Sequence, residues 1–430
     1  MRQRWLRLLP IMMVTFIIAF MDRTNISFAI TTMGKELALS SSVLGFASGV
    51  LFVGYGVSQT LGGWIADRGR GRPLVAFLLV LWGVTEIAQA YVTSAAELVA
   101  VRFFLGLFEG GIFPTFLLFV KNWFAPTERA RANGVWQLCY PLAAIVSGPI
   151  AGTILTFGSW RDLFIVEGLF PIVWAGIWLW GVTDTPQTAH WLKAADRAAL
   201  VTHLARETPP VPEGTTAVSS FGEQMRRLPV VLFTIGVFFW NIGFLGFIIW
   251  LPSVIAQGRA EGSALSPSTI GWFSAAPFAL AILAMQALTF WSDRTGDRRL
   301  TAAFAVAVSG LALLAGGLTF EINSLAANMV LLTVAGAMLY GSQPVLWSMP
   351  ADMLPNNVAG TVMGAINGIG VLGGFLGPYI VGFVRNETGS FSAGLWVMGS
   401  CLLATSVLVS QVRVRVPVAL PLVAGRAPIR

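Results

Sequence analysis

The chain has 430 residues, of which 56% are hydrophobic and only 11% charged, with a formal net charge of +7. A sequence so apolar excludes a soluble globular fold and places the chain among polytopic membrane proteins. Two cysteines, Cys139 and Cys401, both inside apolar runs, supply neither a disulfide framework nor a zinc spacing.

The first apolar run, near 8–30, follows Arg2, Arg4 and Arg7 in the manner of a signal peptide. It lacks a small-x-small cleavage site, and Asp22 and Arg23 follow inside the same run, so it reads as a first membrane span. A spanning helix needs about 20 apolar residues. An ionisable side chain at the bilayer centre costs about 3 kcal/mol on insertion scales. Asp22, Arg23, Asn25 and Ser27 are therefore expected to face protein or a wet cavity. Further apolar runs fall near 42–66, 73–91, 96–120, 131–157 and 163–182. After a long polar stretch they resume near 229–256, 268–291, 300–319, 324–348, 357–384 and 390–412.

The expected fold class is an all-α membrane protein with twelve transmembrane helices in two pseudo-symmetric six-helix bundles. The N-terminal bundle is placed over 1–188, a cytoplasmic central loop over 189–228, the C-terminal bundle over 229–412 and a basic cytoplasmic tail over 413–430. Pro209, Pro210, Pro212 and Gly214 mark the central loop as a linker, with room for one short surface helix around 189–206. The only histidines, His190 and His203, lie there and read as solvated side chains.

Loop charges set the orientation. If the spans alternate, Arg68, Arg70, Arg72, Lys121, Arg129, Arg131, Arg294, Arg298, Arg299, Arg413 and Arg415 share one side with the N-terminal arginines and the basic central loop. The other side holds only Lys35, Arg161, Arg259 and Arg385. The positive-inside rule then puts both termini in the cytoplasm of an inner membrane. The net charge is a topology signal, and no nucleic-acid partner is expected.

The two halves echo one another, as in an internal duplication. Asp67-Arg68-Gly69-Arg70-Gly71-Arg72 follows the second span, and Asp293-Arg294-Thr295-Gly296-Asp297-Arg298-Arg299 follows the eighth. Pro114 is matched by Pro344, and Gly148-Pro149 by Gly377-Pro378. Such a layout places a ligand site between the halves, near the midplane. Glycines inside the second and eleventh spans suit close packing and sliding of helices.

The six-plus-six layout and the doubled loop resemble the major facilitator superfamily. The second copy of the loop fits that family's pattern, whereas the first has Arg70 in place of a glycine and Pro73 in place of a basic residue. Asp67, Arg68, Asp293, Arg294 and Arg298 are the gating-loop residues that the resemblance implies. Within the superfamily, the anion:cation symporter family is similar in Met21 to Ser27, Arg102 to Pro114, Ser159 to Gly168, Pro186 with Trp191-Leu192, and Trp250-Leu251-Pro252. The resemblance covers nearly the whole chain. It implies import of organic anions, such as sugar acids, dicarboxylates and aromatic carboxylates, driven by protons in bacterial members. No cofactor is expected beyond protons as coupling ion, and the carrier is expected to act as a monomer in the lipid bilayer.

Arg102 and Glu109 are seven residues apart, two helical turns, and so share one face about 10 Å apart along the axis. With Asp22 and Arg23 they put two acids and two bases inside the N-terminal bundle. One reading is structural ion pairing between the first and fourth spans, although buried pairs roughly break even against apolar packing. The other is a guanidinium that binds an anion beside carboxyls that carry protons. Arg102 is the expected anchor for a substrate carboxylate, which a guanidinium grips through two parallel hydrogen bonds. Arg23 is the second. Glu109 is the expected proton site, because a carboxyl can be charged or neutral in a buried setting. Asp22, beside Arg23 and coupled to it, is the other. The resemblance implies the same pair of acids and the same substrate-contacting arginine. Moving one negative charge inward against 100 mV costs about 2.3 kcal/mol, so one proton makes uptake of a monoanion electroneutral and a second makes it voltage-driven.

Tyr55, Gln59, Trp136, Tyr140, Trp240, Asn241, Gln343, Trp347 and Asn367 are the candidate cavity groups, each polar one needing a partner or water. Tyr55 and Asn367 stand out because similar family members use a tyrosine and an asparagine there. Glu86, near the outer end of the third span, is a third candidate acid, with snorkelling to the surface as the favoured alternative. Tyr140 stands where sugar-acid carriers of the family tend to have an amide, and Pro344, Val345 and Leu346 adjoin Trp347 in place of hydroxyls. A site with few hydrogen-bond partners suits an aromatic or simple carboxylate, with a sugar acid as the alternative. A proton-coupled exporter is a further alternative, from Gly148-Pro149-Ile150-Ala151-Gly152 in the fifth span. An intramembrane enzyme is not expected, since no HExxH, no GxSxG and no spanning histidine occur.

Overall fold

Backbone polar groups in a bilayer must be satisfied within the segment, and the apolar runs do so as helices. The computed structural model describes residues 2–65, 70–207, 221–257, 265–321, 324–354 and 359–412. The first half holds α1 (Arg2–Glu36), α2 (Ser41–Ile65), α3 (Gly71–Gln89), α4 (Ala95–Glu109), α5 (Ile112–Trp123), α6 (Pro126–Gln137), α7 (Cys139–Phe157) and α8 (Trp160–Gly181). Short helices α9 (Ala194–Glu207) and α10 (Phe221–Arg226) lead to the second half. That half is α11 (Leu228–Gln257), α12 (Pro267–Thr295), α13 (Arg298–Glu321), α14 (Leu325–Met353), α15 (Ala359–Thr388) and α16 (Ser392–Ser410). Asp67, Arg68, the prolines of the central loop and the tail 413–430 lie outside the described residues.

Among the described residues, eleven stretches are long and apolar enough to cross a membrane, with α4 and α5 together forming one, and Leu142–Phe157 is a shorter apolar helix within the fifth crossing. The fourth crossing breaks at Gly110-Gly111, whereas α14 passes through Pro344 unbroken, so the matched prolines do not make matched bends. Two consecutive glycines, costly in a helix, precede Pro114, and only one, Gly341, lies close before Pro344. The fifth crossing breaks at Leu138, whose N–H bonds to Val135 three residues back. Pro141 supplies no N–H to the Gln137 carbonyl, and the ladder fails there.

α1 begins six residues before the expected first span because Arg4 is 1% exposed, not a solvated loop charge. Its Nη1 donates to the Trp123 carbonyl at 2.6 Å and its Nη2 to both oxygens of Glu128 at 2.6 and 2.8 Å. These bonds tie the start of α1 to the α5–α6 corner. Glu128 is 27% exposed and keeps the Ala125 N–H as a donor, so Arg4→Ala costs mainly the lost charge-assisted hydrogen bonds and is expected to lower stability by about 2 kcal/mol. Thermal unfolding in detergent reads this, and an unchanged midpoint would show that the corner holds without Arg4.

The second doubled loop is built for a tight turn between α12 and α13. Gly296 caps α12 at φ +69°, a left-handed conformation that suits glycine, and Asp297 Oδ1 accepts from the Leu300 N–H to start α13. Asp293 and Arg294 are exposed there, and Arg298 Nη1 donates to the Ser348 carbonyl of α14 at 3.4 Å.

The halves meet through α2 against α15 and α7 against α12. Their closest approach is at the end away from the two chain termini. A Cβ on Gly148 would lie 2.4 Å from the Gly271 carbonyl oxygen, and one on Gly49 would lie 2.3 Å from that of Phe375. Arg385 Nη1 also donates to Ser41 Oγ at 2.7 Å, at the same end. Towards the termini, Gly364 and Gly368 on α15 continue the stripe that packs on α2, yet no atom among the described residues lies within 4 Å of a Cβ built on either. The bundles are thus shut at the far end.

Candidate transport site

Backbone contact between α2 and α4 sets the site. A Cβ on Gly106 would lie 1.9 Å from the Leu51 carbonyl oxygen, so only glycine lets the helices come this close. Arg102 and Glu109 of α4 are thereby held in the interior, with Asp22 and Arg23 of α1 facing them. Consecutive residues of a helix point about 100° apart. Arg23 accordingly turns to one side and Asp22 to the other.

The pairing is crossed. Arg23 Nε donates to Glu109 Oε1, and this guanidinium lies over the Tyr55 ring at 4.5 Å from its centroid. The expectation that Asp22 is coupled to its neighbour Arg23 is corrected: Glu109 is the partner. Asp22 is fully buried beside Trp82, and neither of its carboxylate oxygens has a hydrogen-bond partner within 3.5 Å among the described residues. Arg102 reaches only the Asp22 main-chain carbonyl, at 3.5 Å from Nη1.

Arg102 was expected to face the passage. It does not in this conformation, being 0% exposed inside the N-terminal bundle, whereas the Arg23 side chain retains 13%. The reason is geometric: Arg102 lies seven residues earlier than Glu109 on α4, towards the closed end, where Asp22 of α1 and Glu86 of α3 face it. Glu86 likewise does not snorkel. It is 0% exposed, and its carboxylate accepts from Asn25 Nδ2 and from Gln89 Nε2. It is sealed inside the bundle beside Arg102, and the two amides take the place of solvent.

From Arg23 a polar line crosses to the other bundle. Tyr55 lies between Arg23 and Gln59, and Asn367 Nδ2 donates to Gln59 Oε1 at 3.4 Å. Tyr140 is half-buried beside Phe16 and Phe20, at ring-centroid distances of 5.9 and 6.2 Å. Gln343 and Trp347, one turn apart on α14, are half-buried. Asn241 is drawn away from this group, because Nδ2 donates to the Val237 carbonyl of its own helix at 3.0 Å and packs against Gly370. Trp136 is wholly buried, its indole N–H on Asn133 Oδ1 at 3.0 Å, and belongs to the core.

A small pocket lies between the halves towards the closed end, lined by Thr24, Ser27, Ser147 and Ser274 among apolar side chains such as Phe20 and Phe278. It includes none of the expected substrate-binding residues. A fourth buried acid, not among the expected site residues, is Glu167 of α8, 0% exposed beside Asn25 and with neither oxygen hydrogen bonded within 3.5 Å among the described residues. A lone acid in the otherwise apolar run 163–182 was the available signal.

Twelve crossings in two bundles, joined at α2–α15 and α7–α12 around buried charge, are a transporter's architecture, and the sequence profile of the Major Facilitator Superfamily matches residues 12–378 and 260–428. The chain belongs to the Major Facilitator Superfamily. It is 31% identical over 95% of its length to a protein of Agrobacterium vitis named for tartrate transport, covering 90% of that protein. It is 27% identical over 93% to the hexuronate transporter of Bacillus subtilis, covering 93% of it. Among solved structures it is similar to a D-xylose-proton symporter, with a TM-score of 0.73 at 16% identity, covering 94% of this chain and 97% of that one. At that identity the likeness establishes the superfamily fold alone. The chain is a multi-pass membrane transporter and not an enzyme.

Proposed function

We propose that this carrier imports a small organic carboxylate together with protons by alternating access, in a bacterial inner membrane with both termini cytoplasmic. The observation that carries the reading is the Arg23–Glu109 pair with its partial exposure towards the other bundle. An incoming carboxylate and Glu109 compete for the same guanidinium. When Glu109 takes a proton it lets go of Arg23, and the substrate carboxylate replaces it with two charge-assisted hydrogen bonds. Binding of anion and proton are coupled by that exchange. Arg23 is the proposed anchor, with Tyr55, Tyr140, Gln343, Trp347 and Asn367 around the ligand; Arg102 balances the acids behind it.

The aromatic side chains of Tyr55 and Tyr140 near Arg23, with Trp347 on α14, favour an aromatic or simple carboxylate. A sugar acid is the second reading, favoured by the likeness to the hexuronate transporter. With the far end shut, this conformation serves release to the side of the termini. The test is uptake into proteoliposomes of a panel spanning tartrate, benzoate and a hexonate, with and without an inward proton gradient. Gradient-driven accumulation that an uncoupler abolishes is expected. Uptake indifferent to both would overturn proton symport, and a hexonate preferred over every simple or aryl acid would overturn the substrate class.

A further inference from the structure

Arg385 of α15 is a cation set into the seam at the far end. Gly382 lies one turn earlier on the same face, and a Cβ there would fall 2.3 Å from the Ser41 carbonyl oxygen. That approach brings the half-buried guanidinium to the start of α2, where Nη1 donates to Ser41 Oγ at 2.7 Å. The group rests over the Phe391 ring, 4.4 Å from its centroid. Its Nε is buried without an acceptor among the described residues, and Arg385 makes no ion pair among them. The acids whose side chains are described at this end are all engaged or turned away. Glu36 holds Arg161, Glu97 accepts from Thr93, and Asp162 accepts from Ser159. Exposed Glu387 lies about 200° round α15 from Arg385.

As a fastening between bundles this contact is poorly chosen. Ser41 opens α2, where the positive end of the helix dipole disfavours a cation, and a neutral hydroxyl offers a guanidinium little in return. Apolar packing would close the seam without that cost. What the arrangement does supply is a permanently charged, planar donor held on an aromatic face of one bundle and released when the other moves off. We propose that Arg385 is an outer anion site: when the bundles part at the far end, its guanidinium leaves Ser41 and takes the carboxylate of an incoming organic acid before that acid reaches Arg23. Ser41 and Arg385 belong to different bundles, so opening breaks their bond and bares the guanidinium to the mouth. Phe391 and Trp250, both of the C-terminal half, keep it in place meanwhile. A carboxylate exchanges one neutral acceptor for two charge-assisted hydrogen bonds, so the acid favours the open state that admits it. The site faces the far side alone and serves entry.

The inference rests on the import reading for its consequence but not for its detection. Tartrate, benzoate and a hexonate are offered in turn to membrane vesicles. For the acid carried, Arg385→Gln is expected to raise the uptake KM about tenfold at unchanged kcat, as loss of an encounter charge does, and to leave the efflux KM alone. Ser41→Ala removes the bond and keeps the charge. Its uptake KM stays equal or falls, because losing a closing contact favours the open state. If Arg385 is only a fastening, Arg385→Gln follows Ser41→Ala, and that result would overturn the site. So would uptake and efflux KM rising together. A second arm places Ser41→Cys in a chain whose own cysteines are replaced by alanine. A sulfonate-bearing methanethiosulfonate added from the far side is expected to outpace a trimethylammonium-bearing one, and Arg385→Gln to cut that preference about tenfold. A preference indifferent to Arg385 would overturn the proposal. If no acid is carried, the import reading fails, yet this preference still decides whether Arg385 draws anions to the mouth. Should Arg385→Gln not fold, Arg385→Met, which keeps an apolar stem beside Phe391, takes its place in both arms.

Discussion

Arg23→Ala is expected to abolish uptake and to weaken carboxylate binding about a hundredfold, the equivalent of about 3 kcal/mol for removing one member of a buried charge pair. Two losses combine. The substrate loses its bidentate partner, and Glu109, 1% exposed, is left without its counter-charge and is forced to bind a proton. Arg23→Lys keeps the charge but not the planar fork, so partial binding with poor uptake is expected. Ligand-induced thermal stabilisation separates binding from folding, because the unliganded midpoint is read in the same assay. If Arg23→Ala binds as wild type does while Arg102→Ala does not, the anchor is Arg102 and the role assigned to Arg23 is wrong.

Gly148→Leu is expected to hold the far end open. Its Cβ would fall 2.4 Å from the Gly271 carbonyl oxygen, against about 3.5 Å for unstrained contact, and the obstacle is backbone that has no rotamer to yield. Neither bundle has to unfold to relieve this, since the clash lies between them. Uptake should fall at least about tenfold, and a cysteine placed at Ser274, in the cavity behind the closure, should become reactive to a polar thiol reagent added from the far side. Normal uptake by Gly148→Leu would mean that transport never passes through the closed state described above.

Much of this architecture was legible in the chain. Apolar runs of spanning length, separated by polar turns, admit only helices in a membrane, and their spacing in two sets of six is the two-bundle fold. The charges in the first and fourth spans announced an interior site, because lipid would not accept them. Less legible was where a crossing breaks. The Leu138 break follows from Pro141 and the fourth-crossing break from the paired Gly110-Gly111, whereas Pro344 with the single Gly341 before it leaves α14 intact.

Sequence by itself determined the class, the crossings and the identity of the charged residues, since these follow from transfer energies and backbone hydrogen bonding. Tertiary structure alone decided who pairs with whom. Rotation about α1 sends Asp22 and Arg23 to different neighbours, and the close approach of α2 to α4 seals Arg102 while leaving Arg23 at the boundary. The packing of α3 on α8 brings Glu86 and Glu167 together from residues 81 apart in sequence. Contacts of that range depend on how helices rotate and stack, and no local pattern of residues encodes it.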